Sequence, residues 1–341
     1  MTHLRLLILA LAALSATAQT SNTAYVIGAI RWDAWHGDRS KVGQAVERSL
    51  NPTKWHARLP FFAQELPDGR VLIDGASQSV MDQEIQYARA ARLDYWAFLL
   101  YGENDAMSLA LKNYLTSTHK QGLRFCVIVE SKRWKTREVA TRIAELLASP
   151  DYQKVLGGRP LLYVLADSEQ PNLALDRLPN PYVVIQNWSP TRANALKVQL
   201  HADAISAYAY QRDGQNAPYS QLARETERFW DDCRATSSQV VPIVMTGWDR
   251  RPRVEHPVFW ETWQQPNAGI DKFYRAPTPA ELTRHIEQAV KWVKTHPDSA
   301  PSKAILIYAW NENDEGGWLV PTRGDGESRL QAVSTALRSL Y

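Results

Sequence analysis

The sequence predicts an α/β fold: a (β/α)8 TIM barrel built as a single domain with long βα loops. Eight short apolar runs rich in β-branched and aromatic residues recur along the chain. Amphipathic helical patterns alternate with them, and no linker, internal repeat or low-complexity tract divides the 341 residues. Strands buried on both faces read as near-continuous apolar runs, and their alternation with helices over one length fits a parallel sheet closed into a barrel. The main rival is a doubly wound open sheet. No GxGxxG turn follows the first run, so the dinucleotide-binding form of that rival loses its best support.

The first residues, MTHLRLLILALAALSATA, have a basic start at Arg5, a nine-residue apolar run from Leu6 to Leu14, and small residues at Ala16 and Ala18. This is a secretory signal-peptide pattern, with cleavage expected near Ala18 and a secreted or periplasmic mature chain. The barrel domain is then expected over residues 19–341. A membrane span needs about 20 apolar residues, and no later segment approaches that, so none is expected.

The eight runs are AYVIGAI (24–30), DYWAFLL (94–100), FCVIVE (125–130), PLLYVLA (160–166), YVVIQN (182–187), AISAYAY (204–210), VVPIVMT (240–246) and AILIYAW (304–310). Helical spacing appears over 79–93, 108–122, 136–149, 218–236 and 278–296. The last begins with Thr278, Pro279 and Glu281, the signature of a capping box with proline in the first turn. Two long stretches, 31–77 and 247–277, follow the first and seventh runs as βα loops. Barrel active sites sit on the face these loops build.

Net charge is +3, from 39 basic and 36 acidic residues, with no Lys/Arg run interleaved with aromatics. That pattern disfavours a nucleic-acid partner. Cys126 and Cys233 either pair or, as is commoner inside an apolar strand and a helix, act as small buried thiols. No HxH or HExxH spacing occurs, so no catalytic zinc and no cofactor is expected. Asp and Asn residues on the loops could bind calcium, though without EF-hand spacing. No GxSxG elbow marks a serine nucleophile.

The chemistry points to the last run. Asn311 and Glu312 leave its C-terminal end, and Glu315 follows across a turn toward Gly316 and Gly317, whose backbones reach conformations closed to other residues. Two carboxylates on a tight turn can converge as glycoside cleavage demands, at a separation of about 5 Å in retaining enzymes. Crowded like charges keep one of them protonated as an acid while the other stays ionised. The bland alternative is a strand end carrying solvated acids.

Aromatic residues weigh against it. The chain has 13 Trp and 14 Tyr, many at the polar ends of the runs. Sugar rings stack on such faces, whereas a barrel core is filled by Val, Ile and Leu. The substrate-binding candidates are therefore Trp32, Asp33 and Trp35 after the first run, Tyr101 after the second, and Glu130 at the end of the third. Trp188 follows the fifth, Tyr208 and Tyr210 end the sixth, Trp248 and Asp249 follow the seventh, and Trp310, Asn311 and Trp318 flank the acids. Glu130 either meets a sugar hydroxyl, serves as a separate nucleophile, or pairs with Lys132 or Arg133. In TGWDRRPR (246–253) the arginines either hold an anionic substrate group or pin the loop by ion pairs, the commoner use of arginine forks.

The stretch AWNENDEGGWLVPT resembles the signature of glycoside hydrolase family 99 and its WbsX-like and family 71-like relatives, a WNEWxEG pattern followed by a proline. Trp310, Asn311, Glu312, Glu315 and Gly316 match it. The resemblance implies a (β/α)8 barrel and a retaining mechanism in which the sugar's own 2-hydroxyl attacks the anomeric carbon. It makes Glu312 the base toward that hydroxyl. Glu315 becomes the acid that protonates the leaving oxygen and then the base that activates water. Its best-known members cleave mannose-containing glycans internally. Asn313 stands where the family has an aromatic, and Asp314 adds a third acid, expected to point away and hold the turn. The chain is thus expected to act on a poly- or oligosaccharide. The alternatives are a non-catalytic carbohydrate-binding barrel and a glycosyl-transferring enzyme of polysaccharide metabolism. The sequence makes no prediction of oligomeric state.

Overall fold

Each of the eight apolar runs forms a strand, and the seventh forms two. The structure, a computed structural model, describes residues 25–36, 40–133, 137–166, 175–212 and 214–338. The segment read as a signal peptide lies outside them. The strands are β1 (Val26–Arg31), β2 (Tyr95–Leu99), β3 (Arg124–Glu130), β4 (Arg159–Leu165), β5 (Tyr182–Gln186), β6 (Ala204–Ser206), β7 (Gln239–Val240), β8 (Ile243–Met245) and β9 (Ala304–Tyr308). They form one parallel path in the order β7-β6-β5-β4-β3-β2-β1-β9-β8.

The split in the seventh run falls around Pro242, which has no N–H to give a ladder. Before it, β7 pairs with β6; after it, β8 pairs with β9. Val241 still donates to the Ile205 carbonyl at 3.0 Å, and Leu306 donates to the Pro242 carbonyl at 3.0 Å. The two ends of the strand order are therefore consecutive in the chain.

The sheet curls around polar as well as apolar side chains. Tyr95 on β2 shares a 2.8 Å hydrogen bond with Tyr163 on β4 and donates to the Ile305 carbonyl on β9 at 3.2 Å. Strands that are not neighbours in the sheet meet in this way only across its concave face. Gly28 on β1 makes room for the Tyr95 ring, where a Cβ would collide with it.

Nine α-helices are described: α1 (Lys41–Leu50), α2 (Gln78–Ala90), α3 (Leu109–Thr116), α4 (Arg137–Leu147), α5 (Pro190–Gln199), α6 (Tyr219–Ala235), α7 (Arg251–Glu255), α8 (Pro279–Thr295) and α9 (Ser328–Arg338). The alternation is not a regular eightfold one. Among the described residues between β4 and β5 there is only a 3₁₀ turn at Leu175–Arg177. The predicted capping box of α8 forms, Thr278 accepting from the Glu281 N–H at 3.3 Å while the Glu281 carboxylate accepts from the Thr278 N–H at 2.9 Å. Helices α1 and α7 fall inside the two long βα stretches. Cys126 and Cys233 are both free and buried. No helix among the described residues is long and apolar enough to cross a membrane.

Candidate active site

The acid-bearing motif folds as a small hairpin at the end of β9. Asn311–Glu312 (β10) and Gly317–Trp318 (β11) pair antiparallel, joined by a 3₁₀ turn over Asn313–Glu315. Gly316 closes the turn at φ +90°, a region that favours glycine. A Cβ there would run into the Asp249 backbone nitrogen. That close approach lets the Asp249 N–H donate to the Glu315 carbonyl at 2.7 Å, locking the hairpin to the loop after β8.

Both carboxylates line one cavity of about 390 Å³, together with Trp32, Tyr101, Glu130 and Tyr208. Each acid has its own tyrosine. Tyr208 donates to Glu312 Oε1 at 2.6 Å, and Tyr308 donates to Glu315 Oε2 at 2.5 Å. Between the acids sits Arg253, which binds Glu315 Oε1 through Nη1 and lies 3.7 Å from Glu312 Oε2 through Nη2. Its other contacts anchor it: Nε donates to Asp314 Oδ2 at 2.6 Å and Nη2 to Oδ1 at 3.3 Å. Asp314 thus holds the arginine that the two acids share.

The surroundings bias the two acids in opposite directions. Burial, reinforced by the neighbouring Glu315, raises the Glu312 carboxyl well above the usual carboxylate range, against the opposing pull of Arg253. Burial acts on Glu315 as well, but there Arg253, Arg250 and the Tyr308 hydroxyl outweigh it and hold the carboxyl below its ordinary value. Arg250 Nε stands 3.2 Å from Glu315 Oε1.

The arginines of TGWDRRPR pin the loop by ion pairs. Arg250 binds Glu261, Arg251 grips Asp249 at 2.7 and 2.8 Å, and Arg253 holds Asp314. Arg58, from the stretch after β1, also binds the Asp249 carboxylate. Asp249 is therefore enclosed by two guanidinium groups.

Several other candidates stand behind the cavity. Trp310 is fully buried, its indole N–H donating to Glu84 at 2.8 Å, which leaves no ring face for a sugar. Asp33 accepts from Arg31 at 2.7 Å and from Asn311 Nδ2 at 3.3 Å, and Arg31 also binds Glu84 at 2.7 Å. Asn311 accepts from the Trp32 N–H at 3.0 Å through its side chain and from the Trp35 indole at 3.0 Å through its carbonyl. These residues brace the loop after β1 against the acid hairpin. Tyr210 is stacked on Phe229, Trp318 lies under the Arg58 and Arg329 guanidiniums, and Trp248 packs on Tyr308. Trp188 is 52% exposed and does not line the cavity. Glu130 lines it and is also paired, accepting from Arg133 at 2.6 Å with Lys132 at 3.6 Å.

Sequence reasoning passed over Phe259 and Trp260, which line the cavity from the loop after β8. The signal was the run VFWETW (258–263), where three aromatics surround an acid. Among the described residues no group of three or more His, Cys, Asp or Glu is arranged to hold a metal ion.

No protein-family model matches the chain, and no curated protein matches it. Solved structures do. The GH99 endo-alpha-mannosidase from Bacteroides thetaiotaomicron, in complex with bis-tris propane, aligns with a TM-score of 0.58 at 10% identity, covering 92% of this chain and 97% of that one. A second structure of the Bacteroides thetaiotaomicron GH99 endo-alpha-mannosidase gives 0.55 at 9% identity with the same coverage. At such identities the likeness is one of fold, and it extends over nearly the whole of both chains.

Proposed function

We propose that this chain is a secreted or periplasmic retaining glycoside hydrolase of family 99 type, cleaving a poly- or oligosaccharide on a closed (β/α)8 barrel. The observation that carries this reading is the pair Glu312 and Glu315, buried in an aromatic-lined cavity and divided by one guanidinium. The GH99-like fold supports it, since the acids occupy the end of the last strand, where barrel enzymes place catalytic groups.

In this reading the sugar's 2-hydroxyl oxygen bonds to the anomeric carbon as the bond to the leaving oxygen breaks. Glu312 takes the hydroxyl proton and Glu315 gives one to the leaving oxygen. Water, deprotonated by Glu315, then opens the strained ring, and Glu312 returns its proton to the 2-oxygen. Two inversions give net retention. Burial favours a proton on Glu312, while Arg253 and Arg250 favour an ionised Glu315, the opposite of the bias this needs. Substrate must therefore shift that bias by loosening Arg253 from Glu315. Asp314, bound to Arg253 at 2.6 Å, keeps the arginine within reach.

The test is a screen of polysaccharides with product identification, followed by Glu312→Gln and Glu315→Gln on the substrate found and by NMR of the anomeric configuration at early times. Retained configuration and loss of turnover in both variants are expected. Wild-type turnover in both variants would remove the pair from the chemistry.

A further inference from the structure

The loop after β8 carries an unusual exposure. Among the described residues four large hydrophobics are exposed, and two of them, Phe259 at 57% and Trp263 at 66%, lie four positions apart in this loop. Isolated exposed apolar residues are ordinary, but a group of them beside a cleft marks a contact surface. The loop that presents them is firmly held. Val258 is buried beneath it, and the Glu261 carboxylate binds both Arg250 and, at 3.3 Å, Arg253. The same two arginines hold Glu315, so the aromatic segment and the acid pair share one anchor.

From that anchor an aromatic path runs outward. Trp32, which lines the cavity, meets Trp260 edge to face at 5.9 Å between ring centroids, and Trp260 meets Phe259 at 5.0 Å. Across the cavity, among the described residues, Glu130 and Lys132 from the end of β3 stand with Leu99 and Leu165 from the ends of the neighbouring strands. In the sheet order β3 and β8 are separated by β2, β1 and β9, so their loops face one another across the cavity. Tyr101, its hydroxyl accepting from the Trp32 indole at 2.7 Å, lies between the two walls.

One wall is thus aromatic and the other sets hydrogen-bonding groups among apolar side chains, which matches a pyranose ring with a C–H face and a hydroxyl edge. The charged lining residues, Glu130, Glu312 and Glu315 against Lys132, Arg133 and Arg253, are three of each sign. Nothing in that balance selects an anionic or cationic sugar. We infer that Phe259 and Trp260 form a stacking subsite for a second, neutral sugar unit next to the one at the acids, so that the protein acts on chains rather than single glycosides.

This subsite rests on the glycosidase reading, and the experiment separates the two. The intact chain, its Glu312→Gln variant, Phe259→Ala, Phe259→Ala/Trp260→Ala and Phe259→Tyr are run in native gels cast with soluble mannan, xylan, glucan or galactan. Wild type and Glu312→Gln are expected to be retarded by at least one polysaccharide. The double alanine variant should lose that retardation, with affinity weakened about tenfold or more as for other aromatic anchors, and Phe259→Tyr should keep it. Phe259→Ala alone, at an exposed position, guards against misfolding of the double variant. On fragments of two and six units from the retarding polysaccharide, the alanine variants should lose kcat/KM on the longer one and much less on the shorter. If wild type cleaves and the alanine variants keep its retardation and its ratio of long to short fragments, the subsite is wrong while the hydrolase stands. If no gel retards wild type and no polysaccharide is cleaved, both fall.

Discussion

Arg253 holds Asp314 through two hydrogen bonds, at 2.6 and 3.3 Å, inside the turn that follows Glu312 and ends on Glu315, the two acids of the cavity. The ion pair is buried, and its arginine is the one that Glu312 and Glu315 share. Structure and chemistry therefore meet in a single side chain.

Asp314→Asn should damage stability more than chemistry. Removing one partner of a buried pair leaves the other charge uncompensated, at a cost of about 3–5 kcal/mol. Urea denaturation should show that loss. Turnover, measured where the variant is folded, should fall less than in Glu315→Gln.

Glu312→Gln and Glu315→Gln should each lower turnover by about 10²–10⁴-fold, the range for a positioned acid or base. Far-UV circular dichroism should be unchanged. The two Gln side chains keep the size of the acids and can still meet Tyr208 and Tyr308.

Arg253→Met should move the acidic limb of the pH–rate profile upward. With the guanidinium gone, Glu315 loses its main stabilising charge, and the remaining Arg250 also serves Glu261. Glu312 and Asp314 stay close by and favour protonation of Glu315. Because the two acids titrate as a pair, the limb reports the pair's lower value. Arg253→Lys should restore part of the shift. An unchanged limb in Arg253→Met would show that the arginine does not govern the pair.

Asp33 predicts a stability slope in acid. Burial raises its carboxyl to about 6 despite Arg31, so the folded chain binds this proton more tightly than the unfolded one. Its contribution is then fully present below the unfolded value near pH 4 and is lost as pH rises toward 6, by up to about 3 kcal/mol. Denaturant titrations across that window should show the decline in wild type. Asp33→Asn should flatten it.

Gly316→Ala should cost about 1–3 kcal/mol from the left-handed backbone alone, with more from the clash against Asp249. Because the clash separates the hairpin from the loop after β8, activity should fall further than stability. Comparing the thermal midpoint with turnover checks this.

Strand positions were legible because a fully buried strand needs apolar residues on both faces, and all eight runs met that demand. The break at Pro242 was legible too, in the missing N–H, though its effect of changing partners was not. Helix α5 escaped notice because it is only weakly amphipathic; its Ser189–Pro190 start was the remaining signal. At the site, the spacing of Glu312 and Glu315 suggested convergence and both line one cavity, and the ion-pair reading of TGWDRRPR matches the contacts seen. What sequence could not reveal was which acid the arginine would favour, since that depends on a 3.7 Å distance against direct contact. Nor did tryptophan identity separate the exposed rings from those, like Trp310, that bond to a buried carboxylate.

The pairing of β1 with β9 joins opposite ends of the described chain, Val26 lying beside Ala304. Contacts between such distant residues form slowly and late. β1 can complete its ladder only after the ribosome has delivered residues beyond 307, and the acid hairpin follows immediately behind. The acid-bearing motif is thus added by the same segment that finishes the sheet. A product truncated before it would lack both acids and leave an open edge on β1, so a single missing piece would expose the sheet and empty the cavity of its carboxylate pair.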